Sequence, residues 1–202
     1  MQKITKQELL KLTGERPFIF DIGSFDGSDA YEFAELGATV HCFEPVNYDK
    51  WKSHPSMYLH PFAVGSQDKI TVMHCSPHSQ SNSIRKPKSH LELFPQVEYT
   101  HRESVEMVRL DTWWQKNKIA HRPRIDLMWV DVNGSEGDFI QGATECLKIT
   151  RYLFIESSDK ELFEGQITTD ELLEMLPGWR LLGVYNHMGN FGNLLLENGN
   201  GI

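Results

Sequence analysis

Four times in this chain an apolar stretch runs into a carboxylate. Phe18-Ile19-Phe20 meets Asp21, Thr39–Phe43 meets Glu44, Ile125–Val130 meets Asp131, and Tyr152–Ile155 meets Glu156. Short apolar runs bounded by turn residues read as strands buried on both faces, the pattern of a parallel sheet. Between them the residues switch to helical spacing. Thr5-Lys6-Gln7-Glu8 has capping-box spacing ahead of Leu9, Leu10 and Leu12, and Gly14 stops that helix. Ser28 or Asp29 caps a helix running to Leu36, ended by Gly37. Glu136–Leu147 carries apolar residues on one helical face, and Thr168–Glu171 caps a helix that runs through Leu176 to Pro177-Gly178. A third strand is expected over Tyr58–Val64, with Pro61 blurring its limits. Two more are expected at Trp179–Tyr185 and Asn193–Glu197, joined by Asn-His-Met-Gly-Asn-Phe-Gly.

Strands alternating with helices specify a mainly parallel α/β sheet covered on both faces. Ligands of such sheets sit beyond the carboxyl ends of the strands, where the strand order reverses. The prediction is therefore a crevice ringed by Asp21, Glu44, Asp131 and Glu156.

Composition limits what enters it. With 202 residues the chain suits one domain, residues 1–202, and its net charge of -8 speaks against a nucleic-acid partner, which needs clustered Lys and Arg. Cys42, Cys75 and Cys146 are odd in number and widely spaced, so they form no disulfide framework and fit a reducing cytoplasm. No apolar run approaches the ~20 residues of a membrane span, and the first residues do not read as a secretory signal. No membrane partner is expected, and oligomeric state is not legible.

Residues 75–107 break the rhythm: polar, with three prolines and no period, they read as a lid-like insertion. Arg85-Lys86-Pro87-Lys88 within it is either a contact for an anionic acceptor or an ordinary solvated loop, the second being favoured. His74-Cys75-Ser76-Pro77-His78 offers too few spaced ligands for zinc and reads as strand and loop. Trp113, Trp114, Phe18 and Phe20 read as core, whereas Phe43 is placed to flank a base.

The strand–loop–helix junction Asp21-Ile22-Gly23-Ser24-Phe25-Asp26-Gly27-Ser28 discriminates among nucleotide ligands. Two glycines bring backbone N–H groups and a helix start close to a ligand. No Lys follows, so it is not a phosphate loop, and the middle glycine of the dinucleotide fingerprint is missing. Asp21 and Asp26 would repel a pyrophosphate. S-adenosylmethionine has cationic sulfonium and ammonium groups, a carboxylate and no phosphate, and it suits this cradle. Glu44 is placed to accept both ribose hydroxyls, a feature shared with NAD enzymes.

Five segments in order carry a family resemblance: Asp21–Gly27 (DIGSFDG), His41–Pro45 (HCFEP), Phe62–Gly65 (FAVG), Arg109–Trp113 (RLDTW) and Asp131–Ala143 (DVNGSEGDFIQGA). Together they resemble the FkbM-type methyltransferases over about residues 18–197. The resemblance implies a Rossmann-like class I sandwich, a mostly parallel seven-stranded sheet with a terminal antiparallel strand. It implies S-adenosylmethionine as cofactor and O-methylation of a small-molecule or glycan acceptor. Cofactor contacts are expected from Asp21, Gly23, Ser24, Phe25, Gly27, Ser28, Phe43, Glu44, Pro45, Ala63, Val64 and Asp131. One position departs: Asn133 stands where the family usually has Glu, and a role resting on that acid does not carry over.

Methyl transfer to a hydroxyl needs alignment and a group to take the proton. Asp131, Glu156 and His187 are the candidates at the ligand end of the sheet. Asp131 is weighed against a helix cap, Glu156 against a polar loop, and His187 against an exposed loop histidine. Magnesium held by Asp131 with Glu156 or Asp159 is the minor reading beside no metal at all. A nucleic-acid methylase lacks its Pro-Pro-Tyr or Pro-Cys element here. An NAD-dependent oxidoreductase and a catalytically silent cofactor-binding module remain as alternatives.

Overall fold

The computed structural model describes residues 3–46, 48, 51–76, 80–117, 119 and 124–199. The chain opens with α1 (Lys6–Thr13), β1 (Phe18–Ile22), α2 (Ser28–Glu35) and β2 (Thr39–Phe43). It continues through β3 (Met57–His60), β4 (Ala63–Val64), β5 (Lys69–Cys75), α3 (His90–Leu93), β6 (His101–Val108) and α4 (Leu110–Asn117). Then come β7 (Ile125–Val130), α5 (Glu136–Gly142), α6 (Thr144–Lys148) and β8 (Thr150–Ser158), followed by α7 (Thr169–Glu174), β9 (Trp179–Met188) and β10 (Phe191–Asn198).

Seven strands form the main sheet in the order β3-β2-β1-β7-β8-β10-β9. All neighbours from β3 to β8 are parallel, and β10 runs antiparallel between β8 and β9. This is the α/β class I methyltransferase sandwich expected. The chain winds outward from β1 through β2 to β3, then restarts at β7 on the other side of β1. The reversal lies between β1 and β7, where their carboxyl ends diverge.

Alternation along each strand sorts the core into two layers. Phe18, Phe20 and Ile22 of β1 pack into one cluster with Val130, Phe139 and Leu153. Ile19 packs into the other with Phe33, Val40 and Phe154. Asp21 has the same parity as Ile19 and so points to the α2 side, where it is 1 % exposed.

Several predicted boundaries move. The expected third strand over Tyr58–Val64 divides, because Pro61 lacks the N–H a ladder needs. Its first half joins the main sheet as β3, and Ala63-Val64 pairs instead with Met107-Val108 of β6. The predicted helix Glu136–Leu147 is two helices, broken at Ala143 (φ -120, ψ 20). The break has a cause in a distant residue. The buried carboxylate of Asp111 accepts hydrogen bonds from the backbone N–H groups of Glu145 and Cys146 and from the Thr144 hydroxyl, at 2.9 to 3.2 Å, which caps a fresh helix start. The last three main-sheet strands are longer than predicted, so that Glu156 lies inside β8 and His187 inside β9.

The 75–107 segment is less irregular than its sequence suggests. Its ends belong to a second, three-stranded sheet, β4-β6-β5, in which β5 and β6 pair antiparallel from Lys69↔Met107 to Cys75↔His101. One face of this sheet carries a small core of Val46, Ala63, Met73, Cys75, Val105 and Met107. Among the described residues no helix is long and apolar enough to cross a membrane. All three cysteines are unpaired and buried.

Candidate active site

A cleft of about 830 Å³, its mouth included, opens beyond the ends of β1, β2 and β7. Its floor begins with the loop after β1. Gly23 adopts φ +84, and a Cβ there would lie 1.8 Å from the backbone oxygen of Asp131. No other residue fits between these two strand ends. Gly27 adopts φ +73 at the N-cap of α2, its open side filled by the Trp51 ring. Trp51 also donates its indole N–H to the Phe25 carbonyl at 2.9 Å, which shapes the loop from outside.

The predicted residues Gly23, Ser24, Phe25, Ser28, Phe43, Glu44, Pro45, Ala63, Val64 and Asp131 all line this cleft. Gly27 supports it from behind, and Asp21 lies beneath it. The cleft is also lined by Asp26, Asp29 and Asn133, which sequence reasoning singled out without making them cofactor contacts, and by Met73, Trp129, Val132, Ser135 and a stretch of Gln80, Asn82, Ser83 and Ile84, which it passed over. Asp26 and Asp29 were visible as acids in the loop. The 80–84 stretch carries no sequence pattern and reaches the cleft only because β5 and β6 return beside it.

Glu44 is fixed by the backbone. One carboxylate oxygen accepts the N–H of Phe25 at 2.9 Å, and the other accepts that of Val46 at 3.0 Å. Burial pushes its carboxyl up to about 7 against the pull of those two amides. Its remaining lone pairs are free to accept ligand hydroxyls.

Two further acids lack partners. Neither carboxylate oxygen of Asp21 has a hydrogen bond, nor has Oδ1 of Asp131, and all three atoms are buried. Burial, followed by the charge of Asp29, drives Asp21 well above the ordinary carboxylate range. Burial and then Asp29 likewise raise Asp131 to about 6. The Ser135 hydroxyl is buried and unpartnered in the same place. Isolated buried carboxylates are costly unless a cation or donor meets them, so these orphans mark where a ligand's positive groups belong.

Behind Asp131 stand two more acids. Glu136, 1 % exposed, accepts the Gly134 N–H at 3.2 Å, and burial followed by its own backbone surroundings and Asp131 leaves it at about 7. Glu156 is driven well above its usual value by burial, then by Asp131 and Glu136. It does not line the cleft. Each of these neighbouring acids disfavours ionisation of the others, so they release their protons less readily than isolated carboxyls.

His187 is not brought to this place. It lies on β9, the edge strand beyond β8 and β10, with an exposed side chain. The loop after the sixth strand that was to carry it is only the two-residue turn Gly189-Asn190. Asp159 is exposed, and among the described residues it does not cluster with Asp131 and Glu156 within 4.8 Å as three metal ligands would. The basic stretch is used internally. Arg85 pairs with Asp138 at 2.6 Å and donates to the Glu164 carbonyl, Lys86 faces Glu164, and Lys88 pairs with Glu161. Of the residues in the tempting His74–His78 run, Pro77 and His78 lie outside the described residues.

Asn133 holds the roof. At φ 48 in the turn after Asp131, it donates Nδ2–H to the Gln80 carbonyl at 2.8 Å, and its own carbonyl accepts the Ser83 hydroxyl at 2.7 Å. The next residue, Gly134, lies so close to Phe163 that a Cβ would be 2.8 Å from that side chain.

Residues 21–188 match the family described as the Methyltransferase FkbM domain. The chain is 35% identical over 211 residues to the 2-O-methyltransferase NoeI of Sinorhizobium fredii (strain NBRC 101917 / NGR234), covering 97% of this chain and 85% of that protein. Among solved structures it is similar to the 1,6-didemethyltoxoflavin-N1-methyltransferase of Burkholderia thailandensis (TM-score 0.46, 12% identity, 92% of this chain and 72% of that one). Magnesium protoporphyrin IX methyltransferase from Synechocystis PCC 6803 is similar at TM-score 0.45 and 12% identity, over 91% of this chain and 71% of that one.

Proposed function

The chain belongs to the FkbM methyltransferase family, and from that premise we propose that it moves a methyl group from S-adenosylmethionine to a hydroxyl of a small acceptor, a sugar or glycan. One observation carries the cofactor reading. The described lining of the cleft contains four carboxylates, Asp26, Asp29, Glu44 and Asp131, and no Lys, Arg or His. A pyrophosphate would meet only like charge there, whereas a sulfonium and an ammonium meet opposite charge. The orphaned oxygens of Asp21 and Asp131 fit the same ligand. NAD is disfavoured on the same ground.

When bound, the cofactor supplies an electrophilic methyl group. The chain supplies the rest. Glu44, anchored at both oxygens, holds the ribose hydroxyls, and Phe43 and Val64 pack the base. Asp131, on the cleft wall and ionised beside the cofactor's positive charge, takes the acceptor's proton. The hydroxyl acceptor is drawn from the family resemblance and from the 2-O-methyltransferase likeness. Segment 80–84 acts as a roof over the acceptor end, within a single domain whose three unpaired thiols suit the cytoplasm.

Titration calorimetry with S-adenosylmethionine and with NAD tests the cofactor. Micromolar binding of the first alone is the expected result, and binding of NAD alone overturns the reading. Appearance of S-adenosylhomocysteine only when a hydroxylated saccharide is present tests the acceptor class and separates the enzyme from a silent module.

A further inference from the structure

At the neck of the 76–100 segment three side chains of different chemistry converge. Cys75 ends β5 and His101 begins β6, and the two are register partners across the antiparallel ladder. Glu103, two residues further along β6, shares their face. One ligand atom from each lies within 4.8 Å of the others, and among the described residues this is the one such group of three. We propose that Cys75, His101 and Glu103 bind a zinc-class divalent metal ion, which staples together the two ends of the segment that roofs the cleft.

The donor set is what selects the metal. Thiolate, imidazole and carboxylate are the ligands of zinc and its transition-metal neighbours, whereas magnesium and calcium avoid sulfur. Ligand atoms around tetrahedral zinc sit about 3.3 to 3.6 Å apart, given bond lengths of about 2.0 to 2.3 Å. His101 Nε2 and Glu103 Oε1 are already 3.0 Å apart. Both side chains are exposed, whereas Cys75 is buried at 2 % exposure and held in the sheet. The other imidazole nitrogen, Nδ1, lies 3.1 Å from the Thr100 hydroxyl. That is the outer contact that orients a metal-binding histidine. A fourth position stays open for water.

The neck is built as a closed joint even before a metal arrives. Thr100 N–H donates to the Cys75 carbonyl at 3.1 Å, extending the ladder by one rung. Just inside it, Ser76 N–H donates to Asn82 Oδ1 at 2.8 Å and the Tyr99 hydroxyl to the Ser81 carbonyl at 2.9 Å. Residues held by these bonds run directly into Asn82, Ser83 and Ile84 on the cleft wall. A metal at the neck therefore closes a loop whose residues Asn82, Ser83 and Ile84 touch the cleft, and closing a loop removes open conformations from it. On binding, the Cys75 thiol loses its proton to solvent, and no electron is transferred. The inference does not depend on the identity of the cofactor.

The test uses the whole protein, stripped of metal and titrated with cobalt(II) and zinc. One equivalent of cobalt is expected, with the near-ultraviolet absorption of a thiolate–cobalt bond. Cys75→Ser removes that absorption, and His101→Ala weakens zinc affinity by about 100-fold or more. Cys42→Ser and Cys146→Ser, whose thiols sit elsewhere in the core, keep both. Because His101 and Glu103 are exposed, His101→Ala and Glu103→Gln leave the fold intact by circular dichroism and keep the question open to measurement if Cys75→Ser misfolds. Zinc is further expected to slow proteolysis within 76–100 several-fold in the wild-type chain and not in His101→Ala. Cobalt bound without thiolate absorption, or unaltered zinc affinity in His101→Ala, overturns the site. Tight binding with unaltered proteolysis overturns the staple.

Discussion

Asn133 Nδ2 reaches across the cleft mouth to the backbone carbonyl of Gln80, 2.8 Å away, and so ties the turn after β7 to the roof segment. A carboxylate at this position would offer no N–H to that carbonyl. Asn133→Asp preserves size and the tolerance of a left-handed backbone while removing the donor. Loss of one neutral hydrogen bond is worth about 1 kcal/mol, or roughly five-fold in an equilibrium. Hydrogen exchange at residues 80–84 should accelerate by about that factor, with a parallel rise in acceptor KM. Unchanged exchange in that segment would show that Asn133 does not hold it.

Glu44→Ala removes an acceptor used by the Phe25 and Val46 amides and, in the proposed site, by ribose. Hydrogen bonds to a charged group contribute about 1.5 to 3 kcal/mol. Calorimetry should record S-adenosylmethionine binding weakened about 10- to 100-fold, and Glu44→Gln should fall between. Wild-type affinity in Glu44→Ala would remove this residue from the site.

The buried acids make the ligand-free protein sensitive to alkali. Asp21 is raised well above 3.8, Asp131 from 3.8 to about 6, and Glu44 and Glu136 from 4.5 to about 7. The folded chain thus holds protons that the unfolded chain has released, which favours folding at low pH. That advantage is complete below the unfolded values, about pH 4, and is lost as pH rises through the folded ones. Melting temperature should decline from about pH 5 to pH 8, and Asp21→Asn should show a shallower decline and a higher value at the upper end. A variant that melts in parallel with wild type across this range contradicts the burial of an uncompensated charge at Asp21.

A cationic ligand works in the opposite direction, because it stabilises the ionised carboxylates. Binding of S-adenosylmethionine near pH 6 should release protons, visible as a calorimetric enthalpy that changes with the ionisation enthalpy of the buffer. Identical enthalpies in phosphate and Bis-Tris, which both buffer near pH 6 and differ in ionisation enthalpy, would mean that the orphaned acids do not meet the ligand's positive groups.

Gly23→Ala should be among the most damaging single changes. A non-glycine residue at φ +84 costs about 1–2 kcal/mol in backbone strain alone, and its Cβ would sit 1.8 Å from the Asp131 oxygen. Strands β1 and β7 would have to separate at the floor of the cleft. Loss of cofactor binding together with a fall in melting temperature is expected, whereas Gly14→Ala, equally strained at φ +90 but with open space around it and outside the cleft lining, should lower the melting temperature and retain binding.

The strands of the parallel sheet were readable because burial on both faces leaves a mostly apolar run, although the acid marks the true end only at Glu44 and Asp131, Asp21 and Glu156 lying within β1 and β8. The same logic found the loop from Asp21 to Ser28, where glycines and acids alternate in plain view. What stayed hidden depends on partners distant in sequence. Nothing around Ala143 announces a helix break, since the cap that causes it comes from Asp111. The second sheet was obscured because Ile70, Val72 and other alternate residues face solvent, so β5 and β6 lack the apolar continuity of the main strands. The misplacement of His187 has the same root. Its strand is an edge strand with both faces partly wet, so its end cannot be read from hydrophobicity, and the hairpin turn proved shorter than the polar stretch that contains it.

Because β10 lies inside the sheet between β8 and β9, the chain must be synthesised through Asn198 before β9 has any neighbour to pair with. During translation the half from β3 to β7 can assemble on the ribosome, but Leu194, Leu195 and Leu196 cannot fill their places until the end of the domain has cleared the exit tunnel. A nascent chain arrested before Phe191 should therefore expose the flank of β8 and recruit chaperones, and release of a few more residues should end that vulnerability.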